Sequence, residues 1–303
     1  MKAIQYEEYG GPEVLRFVEV EEPHAGPGQI RLKVMASGVN PFEFKVRRGY
    51  MRDFIPASFP VTPGTEAAGI VDEVGEGVTG VSVGDEVLAY TVTGSYAEYA
   101  LAEDFAPKPA GLDWETAAAL PVATKTSEHV LNILKVTDSD TLLVHGAASV
   151  VGSVGVQFAV ARGATVIGTA SEANHDYLRS LGAVPVTYGD GLADRVRAVA
   201  PRGIDAVYDV TGYDVVEVSI ELRGGATDRI VSIADPTAAK RGVTFTGADG
   251  RFGPQLADYA RLAADGGLSV RIAQSFPLAD AARAQELSET GHPGGKLILR
   301  AVF

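Results

Sequence analysis

Up to about residue 118 the chain reads as short apolar runs cut by Gly, Pro and Asp. Gln29-Ile-Arg-Leu-Lys-Val-Met35 alternates polar and apolar, Ala68-Gly-Ile-Val-Asp-Glu-Val74 does so loosely, and Asp85-Glu-Val-Leu-Ala-Tyr90 follows a Val-Gly-Asp turn. A period of two turns one face of each run toward a core, so the pattern predicts β-strands and loops in a compact, barrel-like lobe. From about 119 to 262 strand-like and helix-like patterns alternate. Strands are expected at Thr141–His145, Ala164–Thr169, Val184–Tyr188, Ile204–Val210, Arg229–Ile233 and Val243–Thr246, and helices at Val151–Arg162, Ala173–Leu181, Leu192–Val199 and Val215–Leu222. Strands joined through helices of about 10–15 residues pair in parallel with right-handed crossovers, which predicts a doubly wound α/β sheet. A last segment, from about 263 to 303, carries one helix (Leu278–Glu289) and a closing strand (Lys296–Val302) that returns to the first lobe. The expected domains are 1–118, completed by 263–303, and 119–262.

Composition narrows the chemistry. The 303 residues carry a net charge of −13, which repels polyanions, so nucleic acid is not an expected partner. Cysteine is absent, which removes disulfides, thiolate nucleophiles and iron–sulfur clusters. The five histidines, His24, His129, His145, His175 and His292, are too scattered for a sequence-local metal site. His145 ends the first strand of the doubly wound sheet and reads as a hydrogen-bonded core residue. The start MKAIQYEEYG lacks an export pattern and no apolar run is long enough to span a bilayer, so a cytoplasmic protein without membrane contact is expected.

One local motif carries chemistry: Thr141-Leu-Leu-Val-His runs through Gly146-Ala-Ala-Ser-Val-Val-Gly152 into a helix. Strand, small-residue turn and helix N-terminus in that order suit a pyrophosphate, because unpaired N–H groups and the helix dipole favour an anion there. Ser149 stands where the second glycine of G-x-G-x-x-G lets the backbone approach the phosphates, with Val150 beside it. A strand-to-helix turn without a ligand is the competing reading. The second strand ends Gly168-Thr-Ala-Ser171, without the acid that meets a ribose 2′-hydroxyl in NAD-binding proteins. NADP(H) is therefore favoured over NAD(H), although Glu172 follows one residue later.

The chain resembles the zinc-free, quinone-oxidoreductase-like and enoyl-reductase-like branch of the medium-chain dehydrogenases/reductases. The likeness rests on Gly38-Val-Asn-Pro41, Thr62-Pro-Gly64, Ala68-Gly-Ile-Val71, Val83-Gly-Asp85, Gly94-Ser-Tyr-Ala-Glu-Tyr99, Ala119-Leu-Pro121, the turn at 141–162, Gly163-Ala164, Asp209-Val-Thr-Gly212 and Gly295-Lys296. It implies a Rossmann doubly wound parallel sheet plus a GroES-like β-rich substrate lobe, a homodimer, and NADPH held in a cleft between the lobes. Zinc-dependent relatives carry cysteine near Asn40 and Gly-His-Glu where this chain has Gly64-Thr-Glu66, so no metal is expected. Departures from the family fall at Ala147-Ala-Ser-Val-Val-Gly152, at Thr124-Lys-Thr126 with Glu128 and His129, and at Ala173 in place of a basic residue. Arg251 and Phe252 lie in a shortened loop.

The resemblance places Asn40, Lys45, Tyr50 and Lys296 near nicotinamide and substrate, and Thr126 near the ribose. A turn residue, solvated loop side chains and a strand-start lysine are the corresponding structural readings. Ala148, Ser149, Val150, Val151, Ser171, Asn174 and Gly212 complete the expected cofactor contacts. Lys125, Glu128 and His129 share one helical face at i, i+3 and i+4, as an ion pair or as an acid/base set. Two functions follow as expectations. One is a zinc-independent, NADPH-dependent reduction of a quinone, enone or similar conjugated carbonyl. The alternative is a cofactor-independent cyclisation, elimination or isomerisation in which Lys125, Glu128 or His129 moves a proton.

Overall fold

The computed structural model describes residues 1–212, 214–247 and 255–301. In chain order the elements are β1 (Lys2–Gln5), β2 (Arg16–Glu19), β3 (Ile30–Val39), α1 (Pro41–Arg47), β4 (Glu66–Val74), β5 (Glu86–Thr91), β6 (Tyr99–Pro107) and α2 (Trp114–Leu134). There follow β7 (Thr141–His145), α3 (Val150–Ala161), β8 (Thr165–Ala170), α4 (His175–Ser180), β9 (Val184–Thr187), α5 (Leu192–Val199), β10 (Ala206–Asp209), α6 (Val216–Leu222), β11 (Ile230–Ser232) and β12 (Thr244–Phe245). The chain closes with α7 (Gln255–Ala264), β13 (Ile272–Pro277), α8 (Ala281–Glu289) and β14 (Lys296–Arg300). Two compact units result, residues 1–122 with 251–303, and residues 123–250. The second division falls at 250/251, where the sequence pattern suggests 262/263, because α7 lies against β6 of the first unit. Arg251 and Phe252, and the Val302 end of the expected closing strand, lie outside the described residues.

β3 organises the first unit. Its first half, Ile30–Lys33, pairs antiparallel with Tyr99–Ala102 of β6, and its second half, Ala36–Val39, with Leu297–Arg300 of β14. β4 takes the opposite edge, and β4, β5 and β6 close onto β3 as a barrel that β14 and β13 extend. Register shifts between β3 and β4 at Arg31/Leu32 and Val34/Ala36 supply the extra twist that closure needs. Ile30, Leu32 and Val34 are buried while Lys33 is exposed, as the alternation predicts. From Ala36 to Asn40 every residue is buried, so the period of two disappears and the strand runs four residues past its legible end at Met35. The core gathers Ile30, Leu32, Val71, Val87, Leu297 and Leu299.

The second unit is a six-stranded parallel sheet in the order β12-β11-β10-β7-β8-β9, the doubly wound arrangement. Thr141–His145 and Leu192–Val199 form at the expected residues, and the other strands shift or shorten by a residue or two at their ends. The helix expected at Ala173–Leu181 begins as a 3₁₀ turn, Glu172–Asn174, before α4. β12 is the sheet edge and only two residues long. α2 starts in the first unit, passes through Pro121 and continues into the second. No helix among the described residues is long and apolar enough to cross a membrane.

Candidate functional site

In the first unit, β3 delivers Asn40 as the N-cap of α1 with extended dihedrals (φ −118°, ψ 151°), and Pro41 preorganises the first turn. Glu43, three residues on, reaches back so that its Oε2 accepts the Asn40 N–H at 2.6 Å, half of a capping box. The Asn40 amide is committed at both ends: Oδ1 accepts from Lys296 Nζ at 2.6 Å, and Nδ2 donates to Glu66 Oε1 at 2.9 Å. Lys296 also pairs with Glu66 directly. Both are essentially sealed from solvent, with side chains 2% and 0% exposed. The other Glu66 oxygen accepts the Val122 N–H at 2.7 Å. Pro121 precedes that N–H inside α2, where its ring disrupts the helical hydrogen-bond ladder. Gly38 makes the cluster possible, since a Cβ there would run into Glu66 Oε1 and lie 2.8 Å from Lys296 Cε.

Two carboxylates around one ammonium leave an uncompensated negative charge. Burial pushes the Glu43 carboxyl up to about 7, with the Lys296 ammonium and the Thr65 hydroxyl opposing and Glu66 adding to the rise. Thr65 Oγ1 donates to Glu43 Oε1 at 3.0 Å. Near neutrality the cluster therefore holds or releases one proton at Glu43. Lys45 and Tyr50 stand differently: Lys45 is half-buried on α1 and Tyr50 is 69% exposed beyond it.

In the second unit, β7 ends at buried His145 and the chain turns through Gly146 at φ +71°. Ser149 is the N-cap of α3 (φ −68°, ψ 167°), and its Oγ accepts the Gly152 N–H at 3.1 Å. The missing glycine thus costs no backbone strain, but the hydroxyl uses one donor of the first turn. Val150 and Val151, the first two helical residues, keep N–H groups that no intrahelical carbonyl can reach. Gly152 is indispensable, because a Cβ there would strike Gly146 O and lie 3.0 Å from Ala147 Cα. A pyrophosphate fits this donor set, together with the half-buried Ala148 and the left-handed Gly212 (φ +69°), whose N–H is held by Asp209 Oδ1 at 3.1 Å. At the tip of β8, Asn174 Nδ2 donates to Ser171 Oγ at 3.1 Å.

Thr126 is buried on α2, and Lys125 on the same helix is half-buried. Glu128 pairs with Arg162 at 2.8 Å and accepts from Asn132 at 3.2 Å, while His129 Nε2 meets Thr246 Oγ1 at 3.1 Å. The carboxylate and the imidazole are thus engaged with different partners. Glu43 was not among the residues singled out from sequence, and Thr65 and Glu66 entered only as the stretch where zinc-dependent relatives read Gly-His-Glu. Two signals carried them: the Asn-x-x-Glu spacing of a capping box, and an acid opening the otherwise apolar run Glu66-Ala-Ala-Gly-Ile-Val.

A doubly wound sheet with a small-residue turn at the head of α3, and a separate β-barrel unit that buries an ammonium–carboxylate cluster, are the features of the dinucleotide-binding dehydrogenase class. Residues 26–109 match the family model "Alcohol dehydrogenase GroES-like domain" and residues 181–299 match "Zinc-binding dehydrogenase". A 2-haloacrylate reductase from Burkholderia sp is 31% identical over 319 residues, covering 96% of each chain. Rattus norvegicus quinone oxidoreductase is 42% identical over 176 residues, 56% of this chain and 53% of that protein, so the match spans about half the length of that relative. The solved Escherichia coli quinone oxidoreductase complexed with NADPH superposes with a TM-score of 0.83 at 27% identity, covering 99% of this chain and all of the other. The chain belongs to the quinone-oxidoreductase-like branch of the medium-chain dehydrogenases/reductases. The zinc of the second model's description does not suit the donors present. The chain has no cysteine, and the Lys296 ammonium already takes the Asn40 and Glu66 oxygens that a cation would need.

Proposed function

We propose that the protein is a zinc-independent oxidoreductase that uses NADPH to reduce a quinone, an enone or a similar conjugated carbonyl. The observation that carries this reading is the turn between β7 and α3, where the N–H groups of Val150 and Val151, at a helix N-terminus of a doubly wound sheet, have no partner among the described residues. The NADPH-bound E. coli quinone oxidoreductase and the Burkholderia 2-haloacrylate reductase support the cofactor and the type of acceptor. NADPH, when bound, supplies the hydride. The chain's own contribution is placement and electrostatics: the turn binds the pyrophosphate, Ser171 and Asn174 face the 2′-phosphate without an acid at the strand tip, and Thr126 and Gly212 flank the remainder. In the first unit Lys296 and Glu66 hold Asn40 rigidly at the head of α1, with both ends of its amide already engaged. The cofactor-free acid/base alternative needs a proton-transfer set on α2; with Glu128 on Arg162 and His129 on Thr246, that set is dispersed. We further propose a homodimer joined through the short edge strand β12. Titration of the protein with NADPH, followed by cofactor fluorescence, and NADPH oxidation with a soluble quinone as acceptor test the central reading. Saturation below millimolar and acceptor-dependent oxidation are expected, and their absence in folded protein refutes it.

A further inference from the structure

His145 is fully buried, yet it is wired to the anion-binding turn by a hydrogen-bond chain whose direction can be read from one hydroxyl. Ser219 has a single proton, and its Oγ donates it to Val215 O at 2.6 Å. Ser219 Oγ must therefore accept from His145 Nε2, 3.0 Å away, which puts the imidazole proton on Nε2 and leaves Nδ1 as an acceptor. The hydroxyl facing Nδ1 is that of Thr169, at 3.5 Å. With its own proton turned to His145, Thr169 Oγ1 presents lone pairs to the Gly146 N–H at 3.2 Å, while the Thr169 carbonyl accepts the next amide, Ala147 N–H, at 3.1 Å. Both amides of the turn's entry are thus tied to one residue of β8. Burial pushes the imidazole down to about 4, against the field of the neighbouring Asp209 carboxylate, which is itself bound to Thr211, Gly212 and Ser232. The ring is therefore neutral at working pH, and its tautomer is a defined property.

We infer that His145 is a positioning residue for the anion-binding turn: its Nε2–H tautomer orients the Thr169 hydroxyl so that it clamps the Gly146 N–H and holds Gly146 in the left-handed conformation from which the turn projects. This role rests on the reading that the turn takes the pyrophosphate of NADPH. A core histidine that only fills space would have no fixed tautomer.

Two measurements test it. In ¹⁵N-labelled wild type at neutral pH, long-range ¹H–¹⁵N correlation of the imidazole should show Nε2 protonated, and a protonated Nδ1 overturns the inference. Thr169→Val should accelerate exchange of the Gly146 amide about tenfold while the interior amides of β7 stay protected, and should raise the NADPH Kd about tenfold, the scale of one lost buried hydrogen bond. Thr169→Ser, which keeps the hydroxyl, should bring both back to within about threefold of wild type. Unchanged Gly146 exchange or an unchanged Kd in a folded Thr169→Val protein overturns the inference. If wild type itself binds no NADPH, the cofactor reading falls, and the tautomer and the exchange of Gly146 still decide whether His145 holds the turn.

Discussion

Replacing Glu43 by Gln removes a titration while preserving the shape of the side chain. In the wild type the carboxyl titrates at 4.5 when unfolded and at about 7 when folded, so the native state holds more protons than the unfolded state between those values. Stability then falls as pH rises: the protonated, well-accommodated form is present in full below pH 4.5, and its advantage is lost through about pH 7. At about 1.36 kcal/mol per pH unit the accumulated loss is roughly 3 kcal/mol, a substantial part of a typical folding free energy of about 5–15 kcal/mol. Glu43→Gln cannot ionise, so the stability of the variant relative to wild type should climb by roughly 3 kcal/mol on going from pH 4.5 to above 7. Titrating groups outside the cluster cancel in that difference. Trp114 is the only tryptophan and lies in the same unit as Glu43, so its fluorescence during urea unfolding at a series of pH values reports the relevant transition. Parallel stability profiles for variant and wild type across this window would show that Glu43 is not held protonated by burial and would refute the electrostatic account of the cluster.

Lys296→Met should destabilise the first unit by about 3–5 kcal/mol, because Glu66 and Glu43 lose their shared cation inside the fold, and the loss should be larger at pH 8 than at pH 5; a loss below about 1 kcal/mol in urea unfolding contradicts it. Gly38→Ala should cost about 1–3 kcal/mol by thermal denaturation, since its Cβ meets the Lys296–Glu66 pair, and a neutral outcome would mean that the pair can shift. Ser149→Gly should cost only a few tenths of a kcal/mol as a cap yet tighten NADPH binding several-fold by releasing the Gly152 N–H, whereas weaker binding in a fluorescence titration would show that the hydroxyl itself contacts the cofactor. Sedimentation velocity at micromolar concentration should give a dimer; a strict monomer removes the proposal for the β12 edge.

The local pattern along the chain determined a good deal. Alternation in Gln29–Met35, apolar strands such as Thr141–His145 and the intervening helices carried the fold class, because the side-chain period of a strand or helix is a backbone property and survives without tertiary information. The turn at Gly146–Gly152 was legible for the same reason: strand, small residues and helix follow one another in sequence, and so do the amides they expose. Tertiary structure alone decided what Ser149 does with its hydroxyl, since a glycine replaced by serine looks like lost space until the extended dihedrals and the bond to Gly152 show a cap. It also decided the Asn40 cluster, whose members come from β3, α1, β4, α2 and β14 and lie up to 256 residues apart. Lys296 stood either near the cofactor or as an ordinary strand-start lysine, and Glu66 only where zinc-dependent relatives read Gly-His-Glu; burial makes them partners. A charge in water needs no particular neighbour, whereas a charge taken out of water does, and which neighbours arrive is set by how distant segments pack.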